Sequence, residues 1–402
     1  MKRLEDYRGI VDEKILEEIH KKAEIVKDRH IVHINSTYQG GGVAEMLSSL
    51  VPLMNNIGIA TGWRILYGNP EFFKITKSFH NALQGEEIIL REDMKKKYLE
   101  VNENFSTFTH LNHDLVIIHD PQPLPLIRFY EKKQPWIWRC HVDLSNPNKE
   151  LWNFLKEFIH RYDLVIVSSE KYKKKDLPVE QRIVYPAINP LSPKNIELSD
   201  ETIQRVLKEF NIPLDKPLIT QISRFDKWKD PEGVIDVFRI IKKSVDARLV
   251  LLGGTATDDP EGWAIYEKVK KKAEDLIRAG DVILIINDGN DILVNTLQRV
   301  SRVVIQKSIR EGFGLTVTEE LWKGTPVVAS NIGGIPLQIE NGVNGFLLDP
   351  HDKEGFADRI LQLLQDQELA RRMGEKGRET VRERFLITRL IKDYLDIIMD
   401  LS

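Results

Sequence analysis

The sequence has little cysteine, no long apolar run and no excess of one charge. Its single cysteine, Cys140, excludes an intramolecular disulfide and a cysteine-rich metal site, so we expect a protein of a reducing, cytoplasmic compartment. The 58 basic and 61 acidic residues leave a net charge of -3, which does not favour nucleic acid as a partner. No apolar run of about 18 residues and no apolar signal-peptide core occur, so we expect neither a membrane span nor export.

The length and the pattern of apolar runs predict two α/β domains. A chain of 402 residues exceeds what one core usually organises, and 42% hydrophobic with 30% charged residues is typical of a globular protein, with a charge content that also suits a thermophile. Short β-branched runs alternate with amphipathic stretches such as 43–57 and 148–160, which predicts βα units in a doubly wound parallel sheet. The predicted strands of the first domain are 30–35, 62–66, 114–120, 136–140 and 163–169.

A break in this pattern marks the domain junction. Prolines and polar residues interrupt it at 185–203 and again at 211–217, so we predict a first domain over 1–210 and a second over 211–385. The carboxyl ends of parallel strands bind ligands in such sheets, so we expect the site in a cleft that both domains face. The predicted strands of the second domain are 217–223, 248–254, 282–288, 302–308, 325–330 and 344–349.

The stretch "HINSTYQGGGVAEML" predicts a strand, a glycine turn and a helix. Glycines such as Gly41 and Gly42 allow close backbone approach, and the helix amino end offers N–H groups to an anion or a sugar hydroxyl. A tight turn without a ligand is the alternative. The glycine spacing is not G-x-G-x-x-G, and no P-loop occurs, so a dinucleotide cofactor is not expected.

Two cations follow a predicted strand in "SRFDKWKDPEGVIDVF". Arg224 ends the strand and Lys229 lies in the loop before a helix that starts near Pro231. Arginine grips two oxygens and lysine supplies a compact charge, so the pair could hold a diphosphate. A solvated loop with salt bridges is the alternative.

Two glutamates stand eight positions apart in "SIREGFGLTVTEELWKG". Glu311 is predicted in a glycine loop and Glu319 just past the first turn of a helix over about 315–323. They could grip different hydroxyl-bearing parts of one long ligand, while N–H groups at Gly314, Leu315 and Thr316 meet its phosphates. A nucleotide sugar has this layout. A favourable helix dipole would explain Glu319 alone, but not the glycines around Phe313.

These residues resemble the motifs of the retaining glycosyltransferases of family four. Glu311 to Glu319 is similar to their E-x7-E motif, and Arg224 with Lys229 to their R-x4-K pair. The resemblance covers nearly the whole chain and implies two Rossmann-like domains facing a cleft, the glycosyltransferase type B fold, with helix 386–402 returning to the first domain. The stretches "HDPQPLPLI", "WIWRCHVDLSNPN" and "SIREGFGLTVTE" most resemble the trehalose synthases that join glucose from a nucleotide sugar to free glucose.

The resemblance implies roles for residues at matching positions. Arg224 and Lys229 would bind the diphosphate of an NDP-glucose, Glu311 the donor glucose and Glu319 the ribose. His141 would lie near the reacting glucose, although a lone histidine at a strand end is more often structural. The remaining implied contacts are Gly41 and Gly42 to the donor; Gly312, Phe313, Gly314, Leu315 and Thr316 around its phosphates; Asn287 near the base; and His119, Asp120 and Arg139 with the acceptor.

The D-x-D motif that holds a metal in the other major glycosyltransferase fold is absent, so no metal ion and no cofactor are expected. The expected partners are small molecules, namely NDP-glucose, glucose and trehalose. The sequence leaves open the donor base and whether the chain forms a homodimer. It also leaves open a trehalose phosphorylase, a family-four transferase with another acceptor, an isomerase of nucleotide sugars and a binding-only sensor.

Overall fold

The computed structural model describes residues 2–254, 260–287 and 289–401, which form two compact units. The first unit contains the residues up to Ala187 and those from Phe385 onward, and the second runs from Ile188 to Arg384. Both contain a parallel sheet with helices, which confirms the predicted fold class.

The first unit contains six strands and the helices that connect them. Its strands are β1 (His30–Asn35), β2 (Ala60–Ile65), β3 (Leu115–His119), β4 (Trp136–Arg139), β5 (Leu164–Val167) and β6 (Glu180–Ile183). Its helices are α1 (Glu13–Val26), α2 (Gly42–Asn56), α3 (Pro70–Leu83), α4 (Glu92–Phe108) and α5 (Lys149–Ile159). The sequence did not predict β6, because its residues "EQRI" are polar and only partly buried at the edge of the sheet.

The strand order of the first sheet fixes where its polar residues meet. The order is β2-β1-β3-β4-β5-β6 with every pairing parallel, so the winding reverses between β1 and β3. Loops that leave such a reversal in opposite directions open a crevice at the strand carboxyl ends. The glycine loop after β1 and the residues after β3 therefore belong to this crevice.

The second unit repeats this architecture. Its helices are α6 (Asp200–Glu209), α7 (Pro231–Ile241), α8 (Pro260–Lys272), α9 (Glu274–Arg278), α10 (Asp291–Val300), α11 (Leu315–Trp322), α12 (Lys353–Gln365) and α13 (Gln367–Arg384). Its strands are β7 (Leu218–Ile222), β8 (Arg248–Gly253), β9 (Val282–Ile286), β10 (Val303–Gln306), β11 (Val327–Ser330) and β12 (Phe346–Leu348). The order β12-β11-β10-β7-β8-β9 reverses between β7 and β10, which places the loops after these two strands side by side.

The structure moves the domain boundary from the predicted residue 210 to Ala187. Helix α6 lies before residue 210, yet its Val206 and Leu207 pack in one apolar cluster with Leu218 of β7. Pro190 and Pro193, which contributed to the predicted junction, lie instead in a segment held within the second unit, whereas Pro186 belongs to the first. Asn295 of α10 donates to the carbonyl oxygens of Pro193 and Ile196 at 2.9 and 2.8 Å.

The last helix, α14 (Ile387–Asp400), belongs to the first unit. Its apolar residues recur at helical spacing and are buried where it packs against α1 and α2. Arg389 of this helix donates to the carbonyl oxygens of Tyr185 and Pro186 at 2.8 and 3.1 Å. The first unit therefore consists of two separate segments of the chain.

Candidate active site

The loop after β7 carries the two predicted cations in different surroundings. The Arg224 side chain is 65% exposed, and its Nη2 lies 3.0 Å from Asp226 Oδ2. The Lys229 side chain is only 16% exposed, and its ammonium forms an ion pair with the carboxylate of Glu311. Arg224 is thus available to a ligand from solvent, whereas Lys229 is already fixed against a residue of the second predicted motif.

Two buried residues that sequence reasoning missed hold the backbone around Lys229. Lys307 follows β10, is 1% exposed and pairs with Asp230. Asp230 adopts the left-handed conformation with φ 44° and caps α7, accepting the Gly233 N–H at 3.1 Å. Gln221 of β7 donates to the Lys229 carbonyl oxygen at 3.1 Å and accepts the Lys307 N–H at 3.3 Å. A lysine directly after a β-branched run is the signal that could have indicated Lys307.

The glycine loop after β10 has a conformation that only small residues allow. Gly314 has φ 85°, and Gly334 approaches so closely that a Cβ there would lie 2.6 Å from the Phe313 Cα. Gln338 donates to the Phe313 carbonyl oxygen at 2.6 Å and so fixes the loop. The same loop contains Gly312, just before Phe313, and leads into α11 at Leu315. At this start of the helix, the first N–H groups lack partners within the helix.

Two side chains of α11 are held from within the second unit. Thr316 accepts a hydrogen bond from Gln306 Nε2 at 3.0 Å. Glu319 is 2% exposed, its Oε2 accepts from Gln298 Nε2 at 3.1 Å, and its Oε1 lies 3.7 Å from Lys194 Nζ. Neither Gln298 nor Lys194 was predicted from the sequence. Glu319 on the helix and Glu311 in the loop are therefore both partnered carboxylates, but their cationic partners are different lysines, Lys194 and Lys229.

The neighbour of Glu319 is a buried carboxyl group without a partner. Glu320 is 0% exposed, and neither of its oxygens has a hydrogen-bond partner among the described residues. Burial, with the nearby Glu319 charge, raises the pKa of Glu320 well above its ordinary value. Burial also lowers the pKa of Lys323, at the end of the same helix, to about 7. Helix α11 thus carries a carboxylate paired with a lysine at Glu319 and an uncharged carboxyl group at Glu320.

Asn287 follows β9, which ends at Ile286 rather than at the predicted residue 288, and closes a turn. Its N–H donates to the Gly253 carbonyl oxygen at 2.9 Å, and its Oδ1 accepts the Asn290 N–H at 2.7 Å. Asp288, the next residue and the last of the predicted strand 282–288, lies outside the described residues.

The first unit places its glycine loop at the end of β1. Gly40 and Gly41 have φ 78° and 86°, and Gly42 begins α2. A Cβ at Gly41 would meet no atom within 4 Å, so the left-handed backbone rather than crowding requires glycine there. The amino end of α2 is thus reached through an open, glycine-rich turn.

His33 of β1, His119 of β3 and His141, which follows β4, form one hydrogen-bonded chain. His119 Nε2 lies 2.9 Å from His33 Nδ1, and His119 Nδ1 lies 3.0 Å from His141 Nε2. Burial lowers the pKa of His33 to about 3 and that of the other two well below the ordinary value. His141 is partly buried, whereas His33 and His119 are almost completely buried. His33 was not predicted, because one histidine in an apolar strand is typical of a core position.

Asp120 holds the end of β3 against the end of β4. It adopts φ 63°, and its Oδ1 accepts the His141 N–H at 2.7 Å. Its carbonyl oxygen accepts from Trp138 Nε1 at 3.0 Å. Burial raises the pKa of Asp120 to about 7. The carboxylate therefore fixes the backbone of His141.

The structure corrects the predicted acceptor role of Arg139. Its side chain is 0% exposed and Nη2 donates to the Val184 carbonyl oxygen at 2.6 Å. Sequence reasoning expected a strand-end arginine to reach the ligand, but Arg139 points into the unit, where burial lowers its pKa. His119 is also 0% exposed, so neither side chain is available to a sugar from solvent.

No group of three or more histidine, cysteine or acidic side chains in residues 2–254, 260–287 and 289–401 is arranged to hold a metal ion. Within the same residues, no helix is long and apolar enough to cross a membrane.

Two family descriptions match the chain. The family described as "Trehalose synthase, N-terminal domain" matches residues 33–174, which include the histidine chain. The family described as "Glycosyl transferases group 1" matches residues 202–380, which include Lys229 and Glu311. The two matches thus cover both polar clusters.

Named proteins resemble the chain over most of its length. The "Trehalose synthase" of Thermococcus litoralis is 48% identical, over 99% of this chain and 97% of that protein. The "Trehalose phosphorylase" of Grifola frondosa is 30% identical, over 94% of this chain and 58% of that protein. A solved α,α-trehalose-phosphate synthase (UDP-forming) from Burkholderia vietnamiensis has a TM-score of 0.71 at 15% identity, covering 93% of this chain and 99% of that one. This last similarity shows a shared fold alone.

Proposed function

We propose that this chain, which belongs to the trehalose synthase family of glycosyltransferases, transfers glucose from an NDP-glucose to free glucose and forms α,α-trehalose. The transfer retains the anomeric configuration and is reversible. The observation that carries the proposal is the meeting of Lys229 with Glu311 at the reversal of the second sheet, with Arg224 on the same loop. A cation and a carboxylate held together suit a ligand that joins a charged diphosphate to a neutral sugar.

The donor contacts follow from the charges of the loops. Arg224 and Lys229 bind the diphosphate, and the N–H groups between Gly312 and Thr316 add donors at the amino end of α11. Glu311 binds hydroxyls of the donor glucose. Glu319, which Gln298 and Lys194 orient, binds the ribose.

The first unit adds contacts to the donor and to the reacting glucose. Gly41 and Gly42 let the backbone approach the donor, and His141, the partly buried end of the histidine chain, binds the reacting glucose. Asp120 contributes to sugar binding by holding the backbone of His141.

The reaction is a displacement on one face of the glucose ring. The bond from C1 to the phosphate oxygen breaks, and negative charge that grows on the departing diphosphate is stabilised by Arg224 and Lys229. The acceptor hydroxyl attacks the face that the phosphate leaves and gives its proton to a departing phosphate oxygen. This route uses no paired nucleophile and acid of the kind that retaining glycosidases hold about 5 Å apart. It also uses no metal ion or other cofactor, because the two cations match the diphosphate charge.

A trehalose phosphorylase is the second candidate. The 30% identity with a protein of that name over 94% of this chain favours it. In that reaction inorganic phosphate would occupy the place of the donor diphosphate, and Arg224 and Lys229 could bind either anion.

A substrate panel tests the proposal. Purified protein is incubated with glucose and ADP-, GDP- or UDP-glucose, and the disaccharide and its linkage are identified by chromatography and NMR. We expect α,α-trehalose, and the reverse reaction when trehalose is given with the matching nucleoside diphosphate. Lys271→Ala, which removes an exposed lysine of α8, is the control for Lys229→Ala.

Other outcomes of the panel identify the alternatives. Cleavage of trehalose by phosphate but not by a nucleoside diphosphate would indicate the phosphorylase. A change of the nucleotide sugar in the absence of glucose would indicate an isomerase of nucleotide sugars. Transfer only to another sugar would leave the glycosyltransferase and change its acceptor, and binding without turnover in every mixture would indicate a sensor.

A further inference from the structure

The three histidines form a diagonal line that the register of the sheet produces. His33 of β1 pairs with Ile117 of β3, two residues before His119. His119 pairs in turn with Arg139 of β4, two residues before His141. Residues two apart in a strand, such as Ile117 and His119, share one face of the sheet, and His141 lies two residues beyond the end of β4. Each step therefore crosses one strand and advances toward the carboxyl end. The line thus begins inside the unit and ends at the partly buried His141.

The chain leaves only two arrangements of protons when its rings are uncharged. A neutral imidazole has one N–H and one bare nitrogen. Because His119 uses both nitrogens, at 2.9 and 3.0 Å from its neighbours, it donates to one histidine and accepts from the other. Both hydrogen bonds therefore run in the same direction, either toward His141 or toward His33.

The groups around the chain keep it uncharged. Arg139 of β4 lies close enough that its charge lowers the pKa of His119 and of His141, in addition to burial. Tyr394 of α14 places its ring edge on His33, with centroids 5.6 Å apart. Asp120 is the nearby acid, but its Oδ1 accepts the backbone N–H of His141. Arg389 of α14 adds positive charge beside Arg139.

The two ends of the chain differ, and this difference selects a direction. His33 is 1% exposed, and its only hydrogen bond within the described residues is the one from Nδ1 to His119. A buried N–H without a partner is less tolerated than a buried bare acceptor. Nε2 of His33 is therefore the bare nitrogen, and Nδ1 carries the proton. The chain donates from His33 through His119 to Nε2 of His141, whose own proton lies on Nδ1.

We propose that His33 and His119 are positioning residues that hold His141 as the Nδ1–H tautomer, so that it offers a hydrogen-bond donor to an oxygen of the bound sugar. The identity of that sugar rests on the proposed function, whereas the tautomer does not. The two histidines behind His141 fix both the orientation of its ring and the nitrogen that carries its proton. Without them, either nitrogen of His141 could carry the proton.

NMR of the protein with ¹⁵N-labelled histidine tests the tautomer directly. The signal of His141, assigned by its loss in His141→Asn, should show a pyrrole-type Nδ1 and a pyridine-type Nε2 between pH 6 and 8. A His141 with its proton on Nε2, or one that titrates within this range, would overturn the proposal.

Two substitutions of His119 separate its two hydrogen bonds. An asparagine amide takes the place of Nδ1, so His119→Asn keeps a donor to His141 and loses His33. A glutamine amide takes the place of Nε2, so His119→Gln does the opposite. We expect the Asn variant to keep the Nδ1–H tautomer and the Gln variant to show a mixture. The loss in kcat should be roughly three- to tenfold larger for Gln, from one misplaced hydrogen bond.

His33 offers a conservative rescue. His33→Phe should free His119 to turn its tautomer, and the His141 signal should become mixed, whereas His33→Asn supplies a donor in place of Nδ1 and should restore it. Equal tautomers in all these variants, with equal losses of activity and of melting temperature, would reduce the chain to a structural role.

A control and a second readout keep this test independent of the proposed function. His113→Asn removes another buried histidine of the first unit, whose ring is tilted against that of His30 with centroids 4.2 Å apart and which has no part in the chain. It should leave the His141 signal unchanged. If trehalose synthesis is absent, the NMR result still decides the tautomer. If synthesis is present with the wrong tautomer, only this inference fails.

Discussion

The two units use one topology for two kinds of chemistry. Both are six-stranded parallel sheets whose order reverses once, between β1 and β3 in the first and between β7 and β10 in the second. At the first reversal lies an uncharged chain of histidines. At the second lie the ion pairs of Lys229 with Glu311 and of Lys307 with Asp230. The topology determines where polar side chains meet, and the residues at the strand ends determine what they can bind.

The two reversals offer different groups to a ligand. Buried ion pairs lose hydration energy, so a pair such as Lys307 with Asp230 is weak evidence for stability and is better explained by the position that it gives to its loop. Uncharged imidazoles avoid that loss, and they still donate and accept hydrogen bonds to hydroxyl groups. Each of the following predictions alters one side of this comparison.

The largest effect is expected from removing the charge at the second reversal. Lys229→Met keeps much of the apolar stem but leaves the departing diphosphate without that cation and Glu311 without its partner. We expect kcat/KM to fall by about a hundredfold or more, as for loss of a donor to developing negative charge. A folded variant within about threefold of the parent would contradict the donor assignment. Lys271→Met is the matched control.

Substitutions of Glu311 and Glu319 should change different kinetic constants. In the proposed complex, Glu311 contacts the glucose ring, where positive charge develops, so Glu311→Gln should lower kcat. The proposed ribose contact of Glu319 is made in ground and transition states alike, so Glu319→Gln should raise the donor KM. Each change should cost roughly tenfold in kcat/KM, from one charge-assisted hydrogen bond. Wild-type kinetics in two variants with unchanged melting temperatures would remove both residues from the site.

A smaller effect concerns the neutral face of α11. Because the pKa of Glu320 is raised in the fold, the folded protein retains a proton that the unfolded chain releases above the ordinary value of 4.5. The free energy of unfolding therefore falls as the pH rises above that value. Glu320→Gln removes this penalty, so its melting temperature should exceed that of the parent by roughly 2–4 °C more at pH 8 than at pH 5.

Thermal unfolding at the two pH values measures this difference. Glu267→Gln, which changes an exposed glutamate of α8, is the control and should show no such pH dependence. An equal shift at both pH values would mean that Glu320 is charged in the fold, which would extend the ionic character of the second unit into its core.

The smallest effect is expected from removing metal ions. Arg224 and Lys229 match the diphosphate charge, so treatment with EDTA should leave activity within about twofold. Activity lost to EDTA and restored by magnesium or manganese would show that an ion, rather than the two side chains, carries that charge.

The sequence predicted best what depends on nearby residues. β10 and α11 could be predicted from a β-branched run followed by a glycine turn, and Glu311 lies in the loop as expected. The helix start at Leu315 was also predicted, because Gly314 marks the end of the turn.

What the sequence did not predict depends on register and burial. His33 and His119 are 86 positions apart, and only the pairing of β1 with β3 brings them together. Arg139 has the pattern of a ligand-binding strand end, yet the structure turns it inward to the Val184 carbonyl oxygen. The prolines before α6 were interpreted as a linker, because no local signal shows that Asn295 binds that segment.

The return of α14 to the first unit has a consequence for biosynthesis. The second unit is one uninterrupted stretch from Ile188 to Arg384, so all its residues have been synthesised before Phe385 is added. The first unit has by then been translated up to Ala187, but the surface of α1 and α2 that α14 covers is still without that helix. During translation, the unit that begins first is therefore finished last.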